Sequence, residues 1–311
     1  MQLIRRPVDR PALLADGCVA TIGAFDGLHL GHRRILERVA ELSAQYGLPT
    51  LIFSFEPTPK EYFSRKSPPA RLMRFREKYQ ALEALGIDIF YCPHFEPALE
   101  GLEPDEFVDD LLVRLLNVKH LIVGDDFHFA RKRSGSIKDL ERKAASLGFT
   151  VEQVGSVIES GERVSSSVVR RLLEAGETDS ARRLLGGWYR MSGKIIRGKL
   201  LGRELGMPTA NVKLNRKLSP VQGIFAVRAE LENSGDWLDG VASIGTRPTV
   251  NGIEPLLEVH IFDFDRDIYG QHIQVEFVAK LRDEERFDDL ETLRTQMFID
   301  ADQARTILAA V

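Results

Sequence analysis

The sequence predicts an α/β fold in two domains: an N-terminal domain with a parallel sheet, and a C-terminal small antiparallel β-barrel with a terminal helix. Up to about residue 154, short apolar runs alternate with helical patterns, which is typical of parallel strands covered on both faces. After Gly186 and Gly187 the hydrophobic period changes to two, which is typical of half-buried antiparallel strands. We therefore predict domains at 1–186 and 187–311.

The N-terminal domain is expected to alternate strands with helices along the chain. Its strands are apolar throughout, as in a sheet that is buried on both faces. Ligands bind such sheets at the carboxyl ends of the strands, so the loops that follow the strands should converge on one edge. The predicted strands lie near 18–23, 50–55, 87–92, 120–124 and 150–154, and the predicted helices lie near 32–46, 75–85, 104–117 and 137–147.

The C-terminal domain is expected to be all-β until its last segment. Its last segment is expected to be a helix or two from about 288 to 311, and two short helices over 165–185 are predicted just before the domain begins. Several alternating strands within ~90 residues indicate a small barrel. The apolar residues that alternate with polar ones are Phe225, Val227, Ala229 and Leu231 in one strand, and Ile273, Val275, Phe277, Ala279 and Leu281 in another.

Composition excludes several classes of protein. The formal net charge is −4, which gives no general attraction to nucleic acid or to anionic membranes. No apolar run approaches the ~18 residues of a membrane span, and the N-terminal residues lack the apolar core of a signal peptide. Cys18 and Cys92 both fall in predicted apolar strands, which favours buried thiols over a disulfide. We expect a cytoplasmic protein.

The most informative motif is TIGAFDGLHLGHRR at residues 21–34. It places His29 and His32 at the junction between a predicted strand and a predicted helix. The unpaired backbone N–H groups at a helix N-terminus favour binding of phosphate. The glycines of the turn, Gly23 and Gly31 among them, let a nucleotide approach the backbone. Two imidazoles aimed at that point can donate to a reacting phosphate. This layout is typical of a nucleotidyltransferase, and we include Phe25 and Asp26 in the nucleotide site.

Simpler interpretations of the same motif exist. A single histidine at such a turn is often a helix cap, and His-x-x-His can bind a metal. A metal needs a third ligand, and neither Cys18 nor Cys92 has the spacing to supply it. We favour phosphate chemistry because the glycines and both histidines coincide.

A second phosphate-binding segment is predicted at SSSVVRR. A run of serines before an apolar stretch is an N-cap signal, and its hydroxyl and N–H groups could equally bind a nucleotide phosphate. Arg170 would supply a cation close behind Ser166 and Ser167. Capping and phosphate binding are compatible, so both interpretations remain open.

The C-terminal domain carries its own signature, GKLLGRELGMPTANV. We predict a flexible loop, and no helix, because Gly198, Gly202 and Gly206 precede Pro208. The loop should expose backbone N–H groups to a nucleotide. Thr209 and Asn211 are uncharged oxygen donors of the hard type that Mg²⁺ prefers, so the metal would depend on ATP phosphates for the rest of its ligands. Glu258 lies on the polar face of a predicted strand, where glutamates are usually only solvated.

The motifs GAFDGLHLGH, VGDDFHF, SSSVVR, GMPTANV, GVASIGTRPTV and LLEVHIFDFDRDIYGQ occur in this order. Together they resemble the bacterial bifunctional riboflavin kinase / FAD synthetase family, over nearly the whole chain. The resemblance implies a Rossmann-like nucleotidyltransferase domain that makes FAD from FMN and ATP. It also implies a riboflavin kinase barrel that makes FMN from riboflavin and ATP.

The resemblance also implies roles for single residues. His29 and His32 would stabilise the α-phosphate and the leaving pyrophosphate, and Asp126 would contact the nucleotide beyond Gly124. Glu258 would be the general base for the ribityl hydroxyl. Residues matching the family's other binding motifs are Ser166, Ser167 and Arg170 for phosphate, and Thr209 and Asn211 for Mg²⁺ and ATP.

Four positions depart from the family pattern. Ala130 stands where glycine is common, Ser136 where an acidic residue or asparagine is frequent, Thr58 where histidine is common, and Ser243 where asparagine is common. None of these changes removes a proposed catalytic group. They bear on the shape of the adenylylation loop and on contacts beside the kinase site.

Two rival interpretations compete with the bifunctional enzyme. In one, only one half is active and the other is a scaffold, which the intact histidine, Thr209/Asn211 and Glu258 motifs argue against. In the other, the chain is a flavin-sensing nucleic-acid-binding protein that uses the arginines of 131–133 and later pairs. The net charge of −4 and the lack of a recognisable nucleic-acid-binding motif disfavour it.

Overall fold

The computed structural model describes residues 1–6, 10–64, 66–198, 201–232, 234–249 and 252–311, which form two compact units. The first unit comprises Met1–Pro69 and Phe75–Val164, and the second comprises Ala70–Arg74 and Ser165–Val311. The chain therefore passes from one unit to the other before the two short helices. The functional boundary at residue 186 stays a prediction.

The first unit is built on a six-stranded parallel sheet. From β2 the chain steps outward through β3 and β4, then crosses back to place β5 on the other side of β2. The carboxyl ends of β2 and β5 thus form the topological switch point, where such sheets bind ligands. The strands are β1 (Gln2–Ile4), β2 (Cys18–Ile22), β3 (Thr50–Phe53), β4 (Ile89–Tyr91), β5 (Val118–Gly124) and β6 (Thr150–Val154), in the order β1-β4-β3-β2-β5-β6.

Helices cover the sheet. On one face, Val39 and Leu42 of the first helix pack with Ile122 and the partly buried Ile35. The helices are α1 (Leu30–Tyr46), α2 (Pro59–Phe63), α3 (Phe75–Ala84), α4 (Pro97–Glu100), α5 (Pro104–Glu106), continued by a π-helical stretch (Phe107–Leu115), and α6 (Ile137–Leu147). Single 3₁₀ turns occur at Ala12–Leu14 and Arg131–Arg133, and a small hairpin pairs β7 (Ile158–Glu159) with β8 (Glu162–Arg163).

The second unit is a closed six-stranded antiparallel barrel, which confirms the predicted fold class. Its strands follow the order β10-β13-β12-β11-β14-β9. The elements are α7 (Ser166–Glu174), α8 (Thr178–Leu185), β9 (Tyr189–Ile196), α9 (Leu201–Glu204), β10 (Ala210–Lys213), β11 (Gly223–Leu231), β12 (Trp237–Thr249), β13 (Gly252–Ile261), β14 (His272–Arg282) and α10 (Leu290–Leu308).

The predicted alternation in β14 is wrong beyond Phe277. The register against β11 shifts, with Val227 opposite Phe277 and Ala226 opposite Ala279, so Val278 is an extra residue in a bulge. Val278 is buried among the residues under α10, and Ala279 and Leu281 pack beside it. A bulge changes the face of every later residue, and a pure period of two cannot show it.

Helix α10 is fixed to the barrel by an apolar cluster and one ion pair. Ala301, Ala304 and Leu308 are buried against the outer face of the barrel strands. The Asp300 carboxylate accepts from both Nε and Nη2 of Arg282, at 3.0 and 2.8 Å. Asp300 is buried, so this bidentate pair sets the angle at which α10 crosses the end of β14.

The cysteine prediction is confirmed. Cys18 and Cys92 are both buried and form no disulfide. Burial raises the pKa of the Cys18 thiol to about 12, so it stays protonated and packs as a small apolar side chain. Within the described ranges, no helix is both long enough and apolar enough to cross a membrane.

Candidate functional sites

The turn after β2 departs sharply from ordinary backbone conformations. Phe25, Gly27 and Leu28 have φ values of +48°, +91° and +43°, and two of these three residues carry side chains. Such conformations cost of order 1–3 kcal/mol each and persist where the surroundings hold them. A Cβ on Gly23 would lie 3.0 Å from the Phe25 ring, so this glycine makes room for a buried aromatic side chain. Asp26 is buried as well.

His29 and His32 lie together at the start of α1. His29 is the N-cap residue, and its Nδ1 accepts from the His32 backbone N–H at 3.4 Å. The two imidazole rings stack with centroids 3.7 Å apart. A Cβ on Gly31 would lie 3.2 Å from Nδ1 of His29, so a side chain there would crowd the cap. The capping interpretation is correct for His29, whose ring caps the helix through Nδ1.

His32 is neutral at physiological pH. Burial lowers the pKa of its imidazole well below the usual value, and the positive charges of His29 and Lys78 lower it further. Its Nδ1 is buried and has no hydrogen-bond partner among the described residues. Buried polar atoms are normally satisfied, so this nitrogen is suited to a group that binds at the turn. The ring also packs against Phe25, at 5.0 Å between centroids.

The end of β5 supplies the other side of the switch point. A Cβ on Gly124 would lie 3.5 Å from Oδ1 of Asp126 and 3.8 Å from Ile35 of α1. Arg163 pairs with both Asp125 and Asp126, at 3.1 and 3.0 Å. Partial burial opposes ionisation of Asp125, but hydrogen bonds from Ser156 and the charge of Arg163 lower its pKa. Asp126 is exposed, so its nucleotide contact stays a prediction.

The serine segment belongs to the second compact unit. Ser165 is the N-cap of α7, and its Oγ accepts from the Val168 N–H at 3.3 Å. Ser166 and Ser167 are therefore the first two helical residues. Nε of Arg170 donates to the Ala70 carbonyl at 2.5 Å. The capping interpretation holds for Ser165, and phosphate binding by Ser166, Ser167 and Arg170 stays a prediction.

Sequence reasoning missed a row of aromatic side chains at the carboxyl edge of the sheet. Phe55 contacts Phe53 and Phe95, with ring centroids 4.8 and 5.4 Å apart. The row is half-buried at Phe55 and exposed at Phe63. A signal was present, because Phe55 ends one predicted strand, and Phe95 and Phe127 each lie three residues past the end of another. The further ring pairs join Tyr62 and Phe63 to Phe95, Phe53 to Phe107, Phe107 to Phe129, and Phe129 to Phe127.

Strand register in the barrel aligns three polar residues. Asn211 of β10 is opposite Glu258 of β13, and Glu258 is opposite Ser243 of β12. Leu257 and Val259 are buried on the other face of β13, whereas Glu258 is partly exposed. Cross-strand neighbours lie about 4.5–5.5 Å apart at Cβ, so the three side chains form one row across the barrel wall.

Two cavities share Thr209 as a lining residue, and the row borders the first of them. The first, of about 410 Å³, is largely apolar and includes Asn211 and Glu258. The second, of about 730 Å³, is rich in charged side chains. Further residues of the first cavity are Leu205, Met207, Leu256, Phe287, Leu293 and Met297, and those of the second are Arg197, Arg203, Phe264, Asp265, Arg266 and Tyr269.

The prediction of a loop without helix at the glycine segment is wrong at Leu201–Glu204, which forms one helical turn. The Met207 N–H donates to the Gly202 carbonyl at 2.7 Å, and the Gly206 N–H donates to the Arg203 carbonyl at 3.2 Å. This is a Schellman cap, with Gly206 in the left-handed conformation at φ +86°. The glycine that was taken as a helix breaker ends the helix instead of preventing it.

The other two glycines lie against the predicted metal ligands. A side chain on Gly198 would collide with the side chain of Asn211. A Cβ on Gly202 would lie 3.2 Å from Oγ1 of Thr209. The segment therefore packs closely on both residues. Nucleotide binding by Gly198, Gly202 and Gly206 stays a prediction.

Three of the four departures from the family pattern have a local structural role. The Asp139 carboxylate accepts from the N–H and Oγ of Ser136 at 3.0 and 2.6 Å, in a capping box of α6. Thr58 forms the same kind of box with Glu61 at α2. Ser243 lies beside Glu258 by register. Ala130 is the exception, since its backbone has φ +63° and ψ −172°, a region that only glycine adopts easily.

We expect Ala130→Gly to raise the free energy of unfolding of the first unit by about 1 kcal/mol, because it relieves this strain at a smaller entropic cost. Urea unfolding followed by circular dichroism would measure it. Tryptophan fluorescence should not change, because Trp188 and Trp237 both lie in the second unit. Ala144→Gly, in the interior of α6, should destabilise the same unit by about 1 kcal/mol or more. A destabilised Ala130→Gly would contradict the assigned strain.

Comparison with known proteins identifies both halves of the chain. A family model for FAD synthetase matches residues 13–168, and a model for riboflavin kinase matches residues 185–308. The bifunctional riboflavin kinase/FMN adenylyltransferase of Pseudomonas fluorescens is 44% identical, with 99% of this chain and 98% of that protein aligned. The protein of the same name from Haemophilus influenzae is 41% identical, with 98% of each chain aligned. A crystal structure of a macrolide-efflux protein from Streptococcus pneumoniae has a TM-score of 0.82 and 25% identity, covering 98% of this chain and 99% of that one.

Proposed function

Because the chain belongs to the bifunctional riboflavin kinase/FMN adenylyltransferase family, we propose that the barrel unit phosphorylates riboflavin and the sheet unit adenylylates the resulting FMN. The observation that carries the proposal is the barrel geometry around Thr209. One residue lines both an apolar cavity suited to a flavin ring and a charged cavity suited to ATP. Phosphoryl transfer requires these two substrates to meet at such a point.

In the kinase reaction, Glu258 takes the proton of the ribityl 5′-hydroxyl. The hydroxyl oxygen then attacks the γ-phosphorus of ATP, forming FMN and releasing ADP. Glu258 supports this role because it lines the apolar cavity and lies beside Asn211 by register. Arg197, Arg203 and Arg266 around the charged cavity would neutralise the ATP phosphates.

The donor set beside Glu258 fits Mg²⁺. The Thr209 hydroxyl and the Asn211 amide are hard oxygen donors, and neither is charged. These two residues would hold the ion together with ATP oxygens, and Gly198 keeps the backbone close enough to pack on Asn211. A bound Mg²⁺ would neutralise charge that develops on the phosphates during transfer.

In the adenylylation reaction, the FMN phosphate attacks the α-phosphorus of ATP and pyrophosphate leaves. The first turn of α1 would present its backbone N–H groups to the phosphates. His29, with Nδ1 accepting from the His32 N–H, would donate through Nε2. His32 is neutral, so it would donate one N–H hydrogen bond to a phosphate oxygen and would not transfer a proton to it.

The aromatic row would bind the planar flavin ring of FMN. Phe55 and Phe127 are half-buried at the carboxyl edge of the sheet, so part of each ring is open to a ligand. Stacking of aromatic rings contributes about 0.5–1.5 kcal/mol beyond burial of area. We propose that the row supplies flavin affinity and that the phosphate of the bound FMN reaches the histidines.

A chromatographic time course with riboflavin, ATP and Mg²⁺ tests the proposal. We expect FMN to appear first and FAD to follow, because the product of the barrel is the substrate of the sheet unit. Formation of FMN without FAD would support the kinase assignment and reject the adenylylation assignment. The loop around Ala130 would then be the first segment to test. Absence of both products from folded protein would reject the proposed function.

A further inference from the structure

We propose that Lys78 is a positioning residue for adenylyl transfer: its buried ammonium group holds the strained turn after β2 and keeps positive charge next to the histidine pair. The inference rests on the proposed function of the sheet unit. Lys78 is on α3, belongs to none of the sequence motifs, and is 3% exposed. Lysines are seldom buried to this extent, because removing an ammonium group from water is costly.

The geometric argument begins at Ala24. Nζ of Lys78 donates to the Ala24 carbonyl at 2.5 Å and lies 3.5 Å from Oγ of Ser54. Oγ of Ser54 is also 3.4 Å from the same carbonyl. Ala24 immediately precedes Phe25, the first residue of the turn with positive φ. A charged donor thus fixes the carbonyl at the point where the chain enters its strained conformation.

The turn needs such an anchor. Phe25 and Leu28 both carry side chains at positive φ, and the strain would be released if the turn relaxed. Relaxation would move His29, whose backbone follows Leu28 directly and whose ring caps α1. Anchoring Ala24 therefore fixes the position from which both imidazoles reach a phosphate.

Charge supplies the second argument. The titratable groups that act on His32 are His29 and Lys78, and both lower its pKa in addition to burial. Loss of the ammonium would raise that pKa toward the ordinary value near 6.5. His32 would then become protonated at higher pH.

Two substitutions separate the anchor from the charge. Lys78→Met removes both, whereas Lys78→Gln retains a donor that can reach toward Ala24 without the charge. Lys138→Met, at an exposed position of α6 in the same unit, is the matched control for loss of one lysine. FAD formation from added FMN would be measured on the full chain between about pH 5 and pH 9, and NMR would follow the His32 imidazole.

We expect Lys78→Met to lower the rate of FAD formation about 10²-fold, a loss comparable to removal of one oriented donor. At high pH, Lys78→Gln should lose less of the rate of FAD formation than Lys78→Met. In both, the His32 titration and the acid limb of the rate profile should move to higher pH. Riboflavin phosphorylation should stay within about twofold of the wild type, and Lys138→Met should match the wild type throughout.

Other results would overturn the proposal. Rates within threefold of wild type in both Lys78 variants would do so, as would a loss of rate with an unmoved His32 titration. Failure of both variants to fold would make Lys78 a structural residue only. If the wild type itself made no FAD, the proposed function would fail, and the NMR titration would still decide whether Lys78 acts on His32.

Discussion

Glu258→Gln is expected to abolish FMN formation while added FMN is still converted to FAD. The substitution keeps the size of the side chain in the row with Asn211 and Ser243, but the amide cannot accept the proton of the ribityl hydroxyl. General bases contribute about 10²–10⁴-fold to rate, so riboflavin phosphorylation should fall by a factor in that range. Initial rates of FMN and FAD formation would be measured separately by chromatography, with riboflavin or FMN as the flavin substrate.

The matched control is Glu254→Gln on the same strand. Glu254 is exposed and does not line the apolar cavity, so both reactions should keep wild-type rates. Asn211→Ala should resemble Glu258→Gln in losing only the kinase reaction, but added Mg²⁺ should recover part of its rate if the defect is weaker metal binding. Loss of both reactions in folded Glu258→Gln protein would contradict the division of labour between the units.

Local patterns were sufficient for most of the fold. The predicted strand at 18–23 is Cys18–Ile22, the strand at 150–154 is Thr150–Val154, and the helix at 137–147 is Ile137–Leu147. Each of these segments carries its own periodicity or its own end signals, so its structure depends little on distant residues. The histidine turn is predictable for the same reason, because its glycines, strand and helix are contiguous.

Features that depend on distant contacts could not be predicted. The strand Gln2–Ile4 is too short for any periodicity and exists through its pairing with β4. The bulge at Val278 is defined only by its register against β11. Lys78 has the sequence context of a solvated lysine on an amphipathic helix. Its burial under Ala24 follows from the packing of α3, which no local pattern encodes.

The capping and phosphate-binding interpretations of the histidine motif are compatible. His29 is a helix cap, as a cautious interpretation of one histidine predicts, and the cap fixes the ring beside His32. A cap made by Asn, Asp or Ser would satisfy the helix equally well. Capping therefore does not explain why imidazoles occupy both positions, and phosphate binding by the two rings stays a prediction.

His29→Asn and His32→Asn are each expected to stop FAD formation while FMN accumulates from riboflavin. Asparagine at position 29 can still cap α1, so the variant removes the imidazole donor and retains the helix start. Loss of one oriented donor to a developing negative charge costs about 10²–10³-fold in rate. Chromatography of a riboflavin and ATP reaction would show FMN at the level reached by the wild type, with FAD delayed or absent.

Comparison of His29→Asn with His29→Ala separates the two roles of this residue. Alanine cannot form the cap, so His29→Ala should also lower the free energy of unfolding of the first unit by about 1 kcal/mol. Its loss of FAD formation rate should be similar to that of His29→Asn. His120→Asn, at the opposite end of β5, is the control for histidine loss and should keep both activities. If His29→Asn formed FAD at the wild-type rate and only His29→Ala were impaired, then His29 would serve the helix alone. Donation to the phosphate would in that case rest on His32.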